Sequence, residues 1–178
     1  MTAPPDTALI SATVRRLLDG KKGAQGELVD LIQARLFKFC IVLTRNREVA
    51  EDLTQETLLK CLQNIRTLKN PEIFVAWMFQ IAKNLYIDFT RKPGGNNLPI
   101  EDFGHLASDT DMDLILNVQK VLAQFDPEEK FLLLLIELEG CSYKEAGEIL
   151  HMTEDAVRSK LHRLRILFIK KHDTGETK

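Results

Sequence analysis

Ser142-Tyr143-Lys144-Glu145-Ala146-Gly147-Glu148-Ile149-Leu150-His151-Met152-Thr153-Glu154-Asp155-Ala156-Val157-Arg158-Ser159-Lys160-Leu161-His162-Arg163-Leu164-Arg165-Ile166-Leu167-Phe168 reads as two helices joined by a tight turn. Ser142 and Glu145 have the spacing of a capping box, in which hydroxyl and carboxylate satisfy each other's backbone N–H. Ala146, Ile149 and Leu150 keep helical spacing, and the helix must break near His151-Met152. Thr153 suits the N-cap of a second helix, with Glu154 and Asp155 favourable in its first turn. At about 100° per residue, Val157, Leu161, Leu164 and Phe168 share one stripe. Arg158, Ser159, His162 and Arg163 take the opposite face, with Lys160 and Arg165 on its flanks. Short polar and Arg side chains outward, with long cations at the rims, are what a helix in a DNA major groove requires. A merely solvated basic face is the competing reading of this helix alone. The capped helix and turn before it favour a helix-turn-helix.

The chain has 178 residues, 44% of them apolar and 28% charged. That is enough for one domain or two small ones with real cores. The longest apolar run, Phe131 to Ile136, is far short of the roughly 18 residues of a membrane span, so no membrane insertion is expected. The segment Met1-Thr2-Ala3-Pro4-Pro5-Asp6 lacks the pattern of an export signal. Cys40, Cys61 and Cys141 are odd in number and far apart, which argues against a disulfide framework or metal site and for a reducing cytoplasm.

The net charge of −2 hides an uneven distribution. Residues 1–92 carry 14 basic and 10 acidic side chains, net +4, and residues 93–126 carry 1 and 6, net −5. Residues 127–155 carry 2 and 8, net −6, whereas residues 156–178 carry 7 and 2, net +5. Positive charge collects where DNA would lie, and distribution is what matters for a polyanionic partner.

Helical periodicity is nearly continuous, and strand signals are almost absent. Helices are expected near 6–19, 24–44, 47–66, 71–91, 111–124, 127–139, 142–150 and 153–171. Between them Lys92-Pro93-Gly94-Gly95-Asn96-Asn97-Leu98-Pro99 and the acidic residues that follow read as a flexible linker. Asp126-Pro127 is a helix start, with Pro at the first helical position. The expected fold is all-α. An N-terminal helical bundle (1–92) and a C-terminal helix-turn-helix domain (113–178) are joined by an acidic linker (93–112).

Two N-terminal helices carry further information. In the first, Val49, Ala50, Leu53 and Cys61 make an inner face. Glu51, Asp52, Gln55 and Glu56 make an acidic outer face with Leu59 embedded in it. An apolar residue in an acidic face suggests docking; a solvated helix with one stray Leu is the alternative. In the second, residues 74–92, most of the circumference is apolar. A narrow strip holds Gln80, Lys83, Asn84 and Arg91, with Asp88 beside it. Lys, Asn and Arg suit phosphates and base edges. Trp77, at the margin, fits either a base stack or a core position.

These segments together resemble the extracytoplasmic-function sigma factors of bacteria. Ala50-Glu51-Asp52-Leu53-Thr54-Gln55-Glu56 resembles the family's A-E-D-L-x-Q-E segment. Trp77 to Asn84, through Asp88 to Arg91-Lys92, resembles W-L-x-x-I-A-x-N…D…R-R. Val157 to Arg165 is similar to V-K-S-R-L-x-R-A-R. The resemblance implies a transcription-initiation subunit that binds core RNA polymerase and directs it to promoters. Asp52, Gln55, Glu56 and Leu59 would dock on the β′ clamp helices. Trp77, Gln80, Lys83, Asn84, Arg91 and Lys92 would face the −10 element, and the loop from Asn64 to Ile73 would capture a flipped base. Arg158, Ser159, His162 and Arg163 would read −35 bases, with Lys160 and Arg165 on phosphates. Other implied partners are the polymerase β flap and an anti-sigma factor. The acidic linker would thread towards the polymerase active site.

Four residues of the reader depart from the pattern. His151 stands where Gly ends the first reader helix, and a positive φ there is tolerated at some cost. Gly147 replaces Ala, which by helix propensity loosens that helix by roughly 1 kcal/mol. Asp155-Ala156 stands for Gly-Thr and sets a carboxylate near the groove. A sigma-like decoy that binds an anti-sigma factor without promoter binding is the alternative reading, although Lys83, Asn84, Arg158 and Arg163 are retained. No cofactor, metal or catalytic residue is expected, because no phosphate-cradling Gly loop or convergent carboxylate pair is present.

Overall fold

The computed structural model describes residues 7–93, 122 and 124–175. They are helical, with no strand among them, as the periodicity predicts. The chain forms two compact units, Met1–Phe89 and Thr90–Lys178. The linker expected over 93–112, apart from Pro93, and all but the end of the helix expected near 111–124, lie outside the described residues.

In the N-terminal unit α1 is Thr7–Leu18, α2 is Ala24–Thr44, α3 is Arg47–Asn64 and α4 is Phe74–Arg91. The helix α2 packs along α3, and α1 lies on α2 and on a short 3₁₀ turn at Pro71–Ile73. Ile10, Val14, Leu28, Ile32, Leu36, Phe39, Phe74, Met78 and Phe79 are the fully buried centre. The rings of Phe39 and Phe79 meet edge to face, with centroids 4.9 Å apart, a geometry worth about 0.5–1.5 kcal/mol beyond burial. The α2–α3 corner is closed locally. Arg45, at φ 59°, donates its N–H to Ile41 O at 3.0 Å, and the Asn46 side chain accepts from Val49 N at 3.0 Å.

Two expected boundaries in this unit shift by more than one residue, and the C-terminal helices expected to end at 139 and 171 end at Glu137 and Gly175. The helix expected over 47–66 ends at Asn64 and tightens into a 3₁₀ turn, Ile65–Thr67. Asn64 Nδ2 donates to Lys60 O at 2.9 Å and Thr67 Oγ1 donates to Asn64 O at 2.7 Å. Side chains that bond nearby backbone in this way end a helix. The helix expected over 71–91 starts as the turn Pro71–Ile73, where Asn70 accepts from Glu72 N at 3.0 Å, and becomes α-helical only at Phe74.

The C-terminal unit contains α5 (Pro127–Glu137), α6 (Tyr143–Leu150) and α7 (Glu154–Gly175). The start at Asp126-Pro127 holds, and it is a full capping box: Asp126 Oδ1 accepts from Glu129 N at 2.9 Å, and Glu129 Oε2 accepts from Asp126 N at 3.2 Å. Phe131, Leu132, Leu135, Ala146, Ile149, Val157, Leu161 and Leu164 are buried together with Leu122 and Phe125. Phe168 is half-buried, its ring stacked 6.5 Å from that of Phe125.

Candidate nucleic-acid interface

The helix-turn-helix assembles from its own caps. Ser142 Oγ accepts from Glu145 N at 3.2 Å, and Glu145 Oε2 accepts from Ser142 N at 2.8 Å. The helix α6 ends at His151, in the left-handed region at φ 57°. Met152 N then donates to Gly147 O at 2.9 Å. Thr153 Oγ1 accepts from Ala156 N at 3.2 Å and starts α7. Only His151, Met152 and Thr153 separate the two helices.

Gly147 corrects the expectation drawn from propensity. A Cβ at this position would stand 2.6 Å from Met152 O. The turn folds its own backbone onto α6 there, so glycine is what lets α7 leave α6 at this angle. Its helix cost is offset by the closeness of that turn.

Val157, Leu161 and Leu164 anchor α7 in the core, and Arg158, Ser159, His162, Arg163 and Arg165 are exposed, with Lys160 half-buried. The arginines differ in what holds them. Arg158 Nη2 donates to Glu154 Oε1 at 3.1 Å, and Nη1 lies 3.7 Å from Asp155 Oδ1. The Arg158 guanidinium also sits 5.9 Å from the centroid of the Tyr143 ring on α6. Arg165 donates from Nε and Nη2 to Glu137 Oε1 of α5 at 2.9 and 2.7 Å, and from Nη1 to Tyr143 Oη at 3.4 Å. The Glu137 hydrogen bond raises the Arg165 pKa above its ordinary value. Arg163 Nε reaches Ser159 O at 3.4 Å. Sequence reasoning missed Tyr143 and Glu137, which come from other helices. The spacing of four between Glu154 and Arg158 is a sequence signal that points to their pair.

The polar strip of α4 is formed as expected. Asn84, Asp88, Arg91 and Lys92 are exposed, and Gln80 and Lys83 are partly so. Trp77 is half-buried, neither a sealed core residue nor a free platform, with its ring 6.1 Å from that of Phe74. Before it, the turn at 71–73 leaves Ile73 exposed, and Glu72 is ion-paired with Arg15 of α1.

On α3, Asp52, Gln55 and Glu56 are exposed and Leu59 among them is 54% exposed. Glu56 pairs with Lys60 at 3.4 Å, and Glu51 with Arg47 at 2.8 Å. The buried face is wider than the apolar pattern suggests. Thr54 and Thr57 are buried, their hydroxyls donating to Ala50 O at 2.7 Å and Leu53 O at 2.6 Å.

The cysteines divide by burial: Cys40 and Cys61 are sealed in the core and Cys141 is half-exposed. Burial pushes the Cys61 thiol up to about 12, so at neutral pH it carries no nucleophilic thiolate. Iodoacetamide at pH 8 is therefore expected to label Cys141 alone in the folded protein, and all three cysteines in denaturant. Mass spectrometry of the labelled peptides checks this; rapid native labelling of Cys61 would contradict it.

Among the described residues no group of His, Cys, Asp and Glu could hold a metal ion, and no helix is long and apolar enough to cross a membrane.

Residues 12–94 match the Sigma-70 region 2 family model and residues 115–166 match Sigma-70 region 4. The chain is 31% identical over 158 residues to the ECF RNA polymerase sigma factor SigF of Caulobacter vibrioides, covering 86% of this chain and 88% of that protein. It is 29% identical over 175 residues to SigE of Mycolicibacterium smegmatis, a longer protein of which it spans 65%, with 91% of this chain aligned. In fold it is similar to the sigma factor RpoE of Bartonella quintana, solved in complex with the anti-sigma factor NepR. The TM-score is 0.68 at 24% identity, covering 82% of this chain and 94% of that one. The chain belongs to the extracytoplasmic-function family of RNA polymerase sigma factors.

Proposed function

We propose that this sigma factor binds core RNA polymerase and directs it to specific promoters, with residues 1–92 and 113–178 acting as separate reading heads. The single observation that carries this reading is α7, which turns Ser159, His162, Arg163 and Arg158 outward while Val157, Leu161 and Leu164 anchor it in the core. A helix held so can enter the major groove. In this reading Arg158, Ser159, His162 and Arg163 meet −35 bases, and Lys160 and Arg165 meet phosphates. Arg165 does so from its place against Glu137. The α4 strip, with Trp77, Gln80, Lys83, Asn84, Arg91 and Lys92, faces the −10 element, next to the turn that exposes Ile73.

Asp52, Gln55, Glu56 and Leu59 form the face for the β′ clamp helices. A largely apolar groove of about 330 Å³, lined by Leu122, Leu133, Leu134, Phe168 and Ile169 together with Glu137 and Arg165, suits an apolar segment of the β flap. Such a protein works in the cytoplasm, and an anti-sigma factor is the natural counterpart, as for the Bartonella RpoE. No observation favours the decoy alternative.

Arg158→Ala is expected to relax the preference at one −35 position, since a bidentate Arg–guanine contact discriminates by about 1–3 kcal/mol. Lys160→Ala is expected to weaken every sequence alike and lower the salt slope by about one. Binding of polymerase carrying each variant to matched and mismatched −35 DNA over a salt series separates the two. Equal losses on every sequence from both changes would contradict the groove assignment.

A further inference from the structure

Arg158 stands beside two carboxylates on the reading face, and its partners define a cradle. Glu154, one turn earlier on α7, accepts from Nη2 at 3.1 Å, while Asp155 lies 3.7 Å from Nη1. From α6, the Tyr143 ring sits 5.9 Å from the guanidinium. The Tyr143 hydroxyl is itself tied to Arg165 at 3.4 Å, and Arg165 is gripped by Glu137 of α5. Both helices of the helix-turn-helix therefore contribute to where Arg158 points. Two carboxylates surround one guanidinium, so the local charge around Arg158 is net negative although α7 as a whole is basic.

Arg165 is balanced by the single carboxylate of Glu137, whereas a cation between two carboxylates is a poor partner for a phosphate. Taking a phosphate would mean leaving Glu154 or bringing a third anion beside two others. A base edge carries no such penalty. A guanidinium has five N–H donors; one bonds Glu154 and one faces Asp155, which leaves donors for the O6 and N7 acceptors of a guanine. We propose that Glu154 and Tyr143 are positioning residues that hold Arg158 for base-edge reading and withhold it from the phosphate backbone. They thereby set the ratio of specific to non-specific DNA binding. The inference rests on the proposed −35 reading and adds a determinant of its selectivity.

The test uses the full chain bound to core RNA polymerase. Its probes are the −35 sequence that wild-type holoenzyme selects from a randomised library and a scrambled version of it. Glu154→Gln keeps shape and removes the charge at an exposed position. It is expected to raise binding to the scrambled sequence about threefold to tenfold relative to the selected one. The salt slope on scrambled DNA should steepen by about one, the signature of a newly gained phosphate contact. Tyr143→Leu is expected to lower the specificity ratio as Glu154→Gln does, and Tyr143→Phe, which keeps the ring, to restore it. A loss of helix stability alone would lower both affinities together without steepening the slope. Arg158→Ala serves as the reference. If it abolishes a −35 preference while Glu154→Gln leaves ratio and slope at wild-type values, the cradle is overturned and the groove reading stands. If Arg158→Ala changes no preference, the groove reading itself fails.

Discussion

Gly147→Ala is expected to destabilise the C-terminal unit by about 2 kcal/mol, although helix propensity alone favours Ala by about 1 kcal/mol. The two contributions have opposite signs, and geometry decides between them. The added methyl would meet Met152 O at 2.6 Å, with Met152 C and Thr153 C at 3.6 and 3.7 Å behind it. These are backbone atoms in a three-residue turn, already fixed by the Met152 N to Gly147 O bond and by the positive φ of His151. They cannot swing aside as a flexible side chain would, so the turn must open. Opening it moves α7 relative to α6, and −35 binding is expected to fall with stability. Amide hydrogen exchange in α6 and α7 measures the change. Faster exchange in both helices is the expected outcome, and slower exchange would mean that propensity outweighs the close contact.

Leu59→Arg is expected to weaken binding to core RNA polymerase by 2 kcal/mol or more, about 30-fold, with the helical fold intact. Leu59 is more than half exposed, so the core loses nothing by the change. Its neighbours Asp52, Gln55 and Glu56 leave it as the apolar centre of an acidic face. A partner that fits this face must present an apolar patch rimmed by cations, and a new guanidinium at its centre would be both poorly desolvated and repelled. Leu59→Ala, which removes the contact without adding charge, should cost less. Titration of labelled protein against core polymerase, with circular dichroism as the folding control, tests this. Unchanged affinity of the Arg variant would remove α3 from the docking surface.

The parts of this molecule that were legible in its sequence are those governed by short-range rules. The capping box at Ser142, the N-cap at Thr153 and the Val157-Leu161-Leu164 stripe depend on residues within a few positions of each other, and the structure places each as the spacing requires. The charge partition and the acidic face of α3 were readable for the same reason. What escaped depends on contacts between elements or on side chains that hide their polarity. Thr54 and Thr57 fell outside the apolar pattern, yet each turns its hydroxyl onto the carbonyl four residues back and is buried. Gly147 read as a weak helix residue because propensity knows nothing of the turn that returns above it. Tyr143 and Glu137 showed nothing in the sequence to mark them, and acquire their roles from the arginines that α7 brings to them.

The most direct measurement of the central claim is transcription by core RNA polymerase, with and without this protein. The templates are randomised over the −35 and −10 segments, and the transcripts are sequenced. Initiation that depends on the protein and is enriched for one −35 and one −10 sequence is the predicted result. Binding to core polymerase with no sequence enriched among the transcripts would contradict it.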